Sequence, residues 1–444
     1  MTRRPAATAR TRAVEALRKV LEGGRHAAPL VGELSRGLPA AEQDLLRELT
    51  LGTLRWKAAL DAEIAGVSRV PLGKLAPNLR EILEVALYQV RHLDRIPAYA
   101  AVSEAVNHAR ASGGEGAARL VNGILRGILL LPAPGGPPET AGGKGDVEAL
   151  AVYYSHPLFL VERWMARFGR DVTRRILDAD NVAPSLDLLV NPRRTTLDDL
   201  RQGLSREGVE TEPSTLVPLA LTVTSGNPLR STLFDAGQFS VQDVGSQVLP
   251  LLLPEGELLV DLAAAPGGKS LAALAHGRAR WTAAVDRSRR RLSRITDNAR
   301  RLGLGTIRPV AADFASLPLA EGRFDRVLLD APCSGTGTLR KNPEIRYRVS
   351  AAAIDRLSLA QEEALRAASR LLAPGGVLLY STCSLEEEEN ERVVQRVLAR
   401  EPDLEPDPIT GVPAVEAHVS GSRLRLFPDS RTDGFTAHRL RRRT

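Results

Sequence analysis

The chain has 444 residues, a formal net charge of +7 from 60 Lys and Arg against 53 Asp and Glu, and 43 % hydrophobic residues. That length exceeds the usual single-domain range and predicts more than one core. Two cysteines exclude a disulfide framework, seven scattered histidines show no metal-ligand spacing, and no apolar run reaches membrane-spanning length. A soluble cytoplasmic protein without membrane or metal partners is therefore expected; a monomer is expected as well. Met1 to Arg12 lacks the apolar stretch of a signal peptide. Lysine occurs only at positions 19, 57, 74, 144, 269 and 341, so arginine carries the positive charge. Guanidinium groups suit phosphate contacts, but codon usage produces the same bias, and composition leaves both readings open.

Residues 1–131 read as a helix bundle: Leu79, Ile82, Leu83, Ala86, Leu87 and Val90 fall on one helical face, and similar stripes recur at Val14, Leu17, Leu21 and at Leu120, Ile124, Leu125, Ile128. Residues 132–147, dense in Pro and Gly, read as a linker. Residues 148–237 mix an apolar helix over Leu158–Phe168, a strand at Leu186–Val190, a capped helix after Thr195 and a strand at Leu219–Val223, a small α/β module. From 238 to 444, short apolar runs (LLVDLAAA, TAAVD, RVLLDAP, VLLYSTC) alternate with helical stretches, which predicts a Rossmann-like parallel sheet wound with helices. The acidic run Glu386–Glu389 is expected to cap a helix start.

LLVDLAAAPGGKS (Leu258–Ser270) is a strand entering a small-residue turn and then a helix, a place where backbone N–H groups approach a polar ligand. A phosphate-binding G-x-x-x-x-G-K-[ST] loop would need Gly at Ala263, and no G-x-G-x-x-G occurs. Asp261, Asp286 and Asp313 stand at the ends of three successive predicted strands, an arrangement suited to an adenosine-type ligand across the sheet's carboxyl edge.

Cys333 in LLDAPCSGTG and Cys383 in LLYSTCSLEEEEN also fall at strand ends, where a doubly wound sheet places its ligand crevice. Two thiols and an acid beside a methyl donor suit one difficult reaction. Cytosine C5 is too electron-poor to attack a sulfonium methyl, but a thiolate adding at C6 makes C5 nucleophilic. Asp330 is a sensible general acid at N3, and a second thiol can take up or relay the C5 proton during release. The base must leave its stack to reach such a pocket.

LLVDLAAAPGGKS, AVD, LLDAPCSGTGTLRKNPEIR, LLYSTCSLEEEEN and DGFTAHRL together resemble the Sun/RsmB branch of the NOL1/NOP2/Sun RNA cytosine-5 methyltransferases. The resemblance implies Cys383 as nucleophile, Cys333 as the thiol assisting release, and S-adenosyl-L-methionine as cofactor. It carries cofactor binding onto Ala263, Ala264, Ala265, Pro266, Gly267, Gly268, Lys269, Asp286, Asp313 and Asp330. YYSHPLFLVERWMARFG is similar to the family's entry into its small RNA-contacting module. RELTLGTLRW and RLVNGILRGI resemble a NusB-type helical RNA-binding domain, which implies small-subunit ribosomal RNA as partner. Ala263 stands where the family often has Cys, and Thr436 where it often has a second aromatic. A transfer RNA cytosine methyltransferase and a non-enzymatic NusB-like RNA-binding factor are the competing readings. Exocyclic amino methylation is weaker, because DAPC lacks the second proline and aromatic of that chemistry and leaves both thiols idle. For Lys269 the plain alternative is a solvated lysine in an exposed turn.

Overall fold

The computed structural model describes residues 8–133, 135–138, 144–314 and 316–444, so part of the expected linker lies outside the described residues. By internal contacts the chain divides into two compact units. The first runs to Ala183 and also takes Leu339–Arg348; the second comprises Pro184–Thr338 and Val349–Thr444.

The first unit is helical: α1 (Ala9–Leu21), α2 (Ala27–Leu34), α3 (Ala40–Val67), α4 (Pro77–His92), α5 (Ala98–Leu129), α6 (Lys144–Tyr153), α7 (Leu158–Phe168) and α8 (Arg170–Asp180). Thr8 starts α1 by accepting a hydrogen bond from the Thr11 N–H, satisfying a donor the first helical turn leaves free. The stripe read on α4 is the buried face: Leu79, Ile82, Leu83, Ala86 and Leu87 lie in one core with Leu17, Leu49 and Ile124, while Val90 is only half-buried. Gly52 explains the small residue of LTLGTLRW. A Cβ there would stand 2.1 Å from the Tyr88 ring, whose hydroxyl donates to the Glu48 carboxylate. α5 is kinked at Gly114, which has a φ of 75°. By internal contacts α6, α7 and α8 fall in the first unit. An amphipathic helix displays an apolar stripe but does not name the surface that will cover it.

The second unit holds two sheets. The smaller contains β1 (Leu186–Val190), β2 (Glu210–Pro213), β3 (Ala220–Ser225) and β4 (Phe239–Val241), antiparallel in the order β2-β3-β1-β4. Helix α9 (Leu197–Arg206) covers it through Leu200 and Leu204, and Thr196 is its N-cap.

The larger sheet is built from β5 (Leu258–Leu262), β6 (Trp281–Asp286), β7 (Ile307–Ala311), β8 (Phe324–Asp330), β9 (Leu372–Thr382), β10 (Leu404–Pro406), β11 (Val419–Ser420), β12 (Arg423–Leu426) and β13 (Phe435–Arg442). Its order is β11-β12-β13-β9-β8-β5-β6-β7, with β10 on β13. Strands β7, β6, β5, β8 and β9 are parallel. Successive residues Leu259 and Val260 in β5 and Val327, Leu328 and Leu329 in β8 are all buried, as expected of a sheet covered on both faces. The sheet is mixed rather than purely parallel, because β13 returns antiparallel to β9 and carries β12 with it. Strand and helix alternation cannot encode that last reversal.

Candidate active site

The carboxyl ends of β5, β6, β8 and β9 converge on one edge. After β5 the chain turns through Ala263, whose φ of 60° is uncommon for a residue with a Cβ, and enters helix α12 (Gly268–Ala275). Ala264 and Ala265 are buried, and the Ala264 N–H bonds to the Val285 carbonyl at 2.8 Å, which ties the turn to β6. Gly267 caps α12 with its backbone alone, and the Gly267 N–H returns to Ala264 O at 2.7 Å across Pro266.

A cleft of about 330 Å³ opens beside this turn. Ala263, Asp286 and Asp313 line it together with apolar walls from Val285, Phe314 and Pro332. Asp286 accepts from the Ala265 N–H at 3.2 Å and the Ser288 N–H at 2.8 Å, and Arg291 stands 3.3 Å away. Asp313 lies two residues past the end of β7, not at the strand end, and is half-exposed near Arg287. A small cleft with apolar walls and carboxylates at its rim has the chemistry to hold an adenosyl group, with apolar surface for a ring and acids for hydroxyl and amino donors.

Asp261 does not join them. It is buried inside β5, accepts from the Ser270 hydroxyl, and burial pushes its carboxyl up to about 7. The expectation of three acids on the cofactor edge is thus corrected to two. A strand alternates its side chains between faces, and Asp261 takes the face toward α12.

Lys269 is not a solvated lysine. Its ammonium lies 2.8 Å from Asp330 Oδ2, largely buried. Although burial disfavours its charge, Asp330, Asp261 and Cys383 together raise its pKa above the ordinary lysine value. Ser381 donates to the other Asp330 oxygen at 3.0 Å. Lys269 also lies 5.9 Å from the centre of the Phe435 ring. The resemblance places Lys269 with the cofactor; its ion pair is with Asp330, and Cys383 is among its charged neighbours.

Cys333 and Cys383 lie with their sulfurs 3.3 Å apart, half-buried. The hydrogen bond with Cys383, burial, and the charges of Cys383, Glu389 and Asp330 push the Cys333 thiol well above its ordinary pKa. The two cysteine loops interlock. The Gly337 N–H donates to Cys383 O at 2.9 Å, and the Gly434 N–H to Gly337 O at 2.7 Å.

Glu389 was read as a capping residue, and that is corrected. It lies before helix α15 (Glu391–Leu398), fully buried, and its carboxylate accepts from the backbone and hydroxyl of Ser334 and from Ser384. Gln361, on helix α14 (Ala351–Leu371), donates to it at 2.9 Å. Ser334, Gln361, Ser384 and Glu389 were all missed. The available signal was that one acid of a charged run sits five residues past Ser384, at a spacing no helix start requires. Thr436, one of the two departures noted, is buried and donates to Ser384 O at 3.2 Å, so it braces the same loop. Among the described residues no cluster of His, Cys, Asp or Glu could hold a metal, and no helix is long and apolar enough to cross a membrane.

Known proteins share this arrangement along nearly the whole chain. Residues 248–441 match the family described as 16S rRNA methyltransferase RsmB/F, residues 7–129 the NusB family, and residues 156–230 the RsmF/B-like ferredoxin-like domain. A probable ribosomal RNA small subunit methyltransferase B of Bacillus subtilis is 32 % identical, covering 97 % of this chain and 98 % of its own length. The ribosomal RNA small subunit methyltransferase B of Pasteurella multocida is 34 % identical over 97 % of this chain and 96 % of its own. The crystal structure of PH0851 superimposes with a TM-score of 0.79 at 27 % identity, over 99 % of this chain and all of that one. A crystallised methyltransferase homologue from Pyrococcus horikoshii gives a TM-score of 0.56 at 25 % identity, over 68 % of this chain and all of that one. With a NusB-like helical region, a ferredoxin-like module and a Rossmann-like mixed-sheet domain that accepts S-adenosylmethionine, the chain belongs to the RsmB family of methyltransferases.

Proposed function

We propose that this protein methylates C5 of a cytosine in small-subunit ribosomal RNA, through a covalent bond between Cys383 and C6 of the base. The observation that carries the reading is the thiol pair, 3.3 Å apart and flanked by the Lys269–Asp330 ion pair. S-adenosylmethionine supplies an electrophilic methyl group when bound in the adjoining cleft.

The two thiols stand in opposite surroundings. Cys333 is held in its protonated form by its hydrogen bond with Cys383, by burial and by neighbouring negative charge, whereas Cys383 has the Lys269 cation among its neighbours. A thiolate is the attacking species, so Cys383 takes the nucleophile's role. Asp330, held by Lys269 and Ser381, would meet the N3 edge of the base and stabilise a proton taken up there from water as sulfur adds to C6 and returned to water on release. Electron density then moves to C5, which takes the methyl group. Release breaks the C5–H bond: the proton passes to water, its electron pair forms the C5–C6 double bond, and the C6–S pair returns to Cys383. The Cys333 S–H is placed to donate a hydrogen bond to that departing thiolate. A thiol so reluctant to ionise is a poorer base than a donor, and assistance to the leaving sulfur fits it better than direct proton abstraction.

The helical region and the small antiparallel module would hold the RNA through arginine–phosphate contacts whose affinity falls with salt. Names of relatives supply the choice of small-subunit ribosomal RNA over transfer RNA, and the same reading implies a cytoplasmic enzyme. Wild type, Cys383→Ala and Cys333→Ala are compared for transfer of labelled methyl groups to small-subunit ribosomal RNA, with products run on a denaturing gel. No transfer is expected without Cys383, and a gel-stable protein–RNA adduct without Cys333. Transfer at the wild-type rate by Cys383→Ala would show the thiolate mechanism to be wrong.

A further inference from the structure

Glu389 has no exposed surface, and every hydrogen bond its carboxylate makes comes from a neutral donor. The Ser334 N–H (2.8 Å) and the Gln361 amide (2.9 Å) meet one oxygen; the hydroxyls of Ser334 and Ser384 meet the other. Four donors on two oxygens is what an ionised carboxyl group accommodates and an amide does not, because an amide would turn its own N–H groups toward two of them. The partners are not scattered. Ser334 directly follows Cys333, Ser384 directly follows Cys383, and Gln361 uses the same nitrogen to hold the carbonyl of Pro332, just before Cys333, at 2.9 Å. The two serine hydroxyls are themselves 3.1 Å apart.

We infer that Glu389 is a positioning residue for the thiol pair: it grips each loop at the residue adjoining its cysteine and so sets the distance between the two sulfurs. Its carboxylate bonds to the residues beside the cysteines and not to either sulfur. Asn390 extends the brace by donating to the carbonyls of Ser384 and Glu386, at 3.0 and 2.7 Å. The buried charge has a second consequence. Cys333 is faced by Cys383, Glu389 and Asp330, with Tyr380 close by, and the Glu389 charge helps keep its proton in place. Removing the carboxylate both loosens the loops and takes away one of the charges that hold the Cys333 proton. The consequence for catalysis rests on the covalent reading above; the spacing of the sulfurs does not.

The chain has only two cysteines, so oxidation of the pair is a clean measure of their spacing. Diamide converts two S–H groups to one S–S bond and is itself reduced to the hydrazine, taking up both hydrogens. The full-length protein and Glu389→Gln are compared for the rate of intramolecular thiol loss, for methyl transfer, and for S-adenosylmethionine affinity as a check that the fold survives. Oxidation is expected to slow by about tenfold or more, and kcat to fall by about a hundredfold with KM for RNA within about twofold, because small misplacements of reacting groups cost that much. An oxidation rate like that of wild type overturns the inference. Slower oxidation with undiminished methyl transfer upholds Glu389 as the spacer and overturns the thiol-pair chemistry instead. If Glu389→Gln fails to fold, Ser334→Ala and Ser384→Ala each remove one donor and are read by the same criteria.

Discussion

Arg346 gives the sharpest test of how the helical unit is held together. It is 3 % exposed, and its guanidinium donates to Arg55 O at 2.7 Å, Asp180 O at 2.8 Å, Tyr154 O at 3.1 Å and Ser155 O at 3.2 Å. Three of these acceptors share the two hydrogens of one nitrogen, so the set is worth about three full bonds. Charge-assisted bonds contribute about 1.5 kcal/mol each, about 4–5 kcal/mol in all. Burial opposes that gain and pulls the Arg346 pKa down to about 10. Replacement by Met relieves the desolvation but strands the carbonyls, leaving a net loss of about 3 kcal/mol. For a unit of this size that lowers the melting midpoint by about 6–12 °C. Trp56 and Trp164 lie in this unit and only Trp281 outside it, so thermal unfolding followed by tryptophan fluorescence reports mainly on the helices. Arg346→Lys should fall between wild type and Arg346→Met, since one ammonium cannot span four carbonyls. A shift below about 2 °C for Arg346→Met would refute the reasoning.

Three further outcomes follow from the second unit. Gly337→Ala places a Cβ 2.5 Å from Gly434 O and 3.0 Å from Cys383 O, both backbone, so methyl transfer should fall at least about a hundredfold; near-normal turnover would mean the loops part freely. Lys269→Met leaves Asp330 without its cation and removes positive charge near Cys383. In a Cys333→Ala background, iodoacetamide should then alkylate Cys383 about tenfold more slowly at pH 7, and an unchanged rate counts against the assigned nucleophile. Asp261 has a folded-state pKa raised by burial from 3.8 to about 7, so the stability it contributes is full below pH 3.8 and is lost as pH rises through 7. That loss amounts to roughly 4 kcal/mol at most, and Asp261→Asn should flatten the decline between about pH 4 and 7 in urea unfolding; an identical slope in both proteins discards the assignment.

The covalent order of residues determined much of this protein directly. The period of Leu79, Ile82, Leu83, Ala86 and Leu87 is a property of neighbours one turn apart, and LDLLV at Leu186–Val190 forms a strand with those same bounds. Strand, small-residue turn and helix follow one another from Leu258 to Ala275 because Gly and Ala at the turn permit the close backbone approach that bulkier residues forbid. The cysteines in the loops that follow β8 and β9, Cys333 three residues past its strand and Cys383 one, needed only the rule that a wound sheet gathers its carboxyl ends along one edge. Tertiary packing decided the rest. Which acids reach the cleft depended on the face each strand turned outward, and Asp261 turned away. Lys269 became the partner of Asp330, and Glu389 the link between two loops, through contacts between residues 61 and 55 positions apart, respectively, distances at which no local pattern survives. Leu339–Arg348 joins the helical unit although it follows the Cys333 loop in the chain, since buried carbonyls of Arg55, Tyr154 and Asp180 offer its Arg346 partners that its sequence neighbours do not. Periodicity records which face of an element is apolar; only the folded chain determines what lies against it.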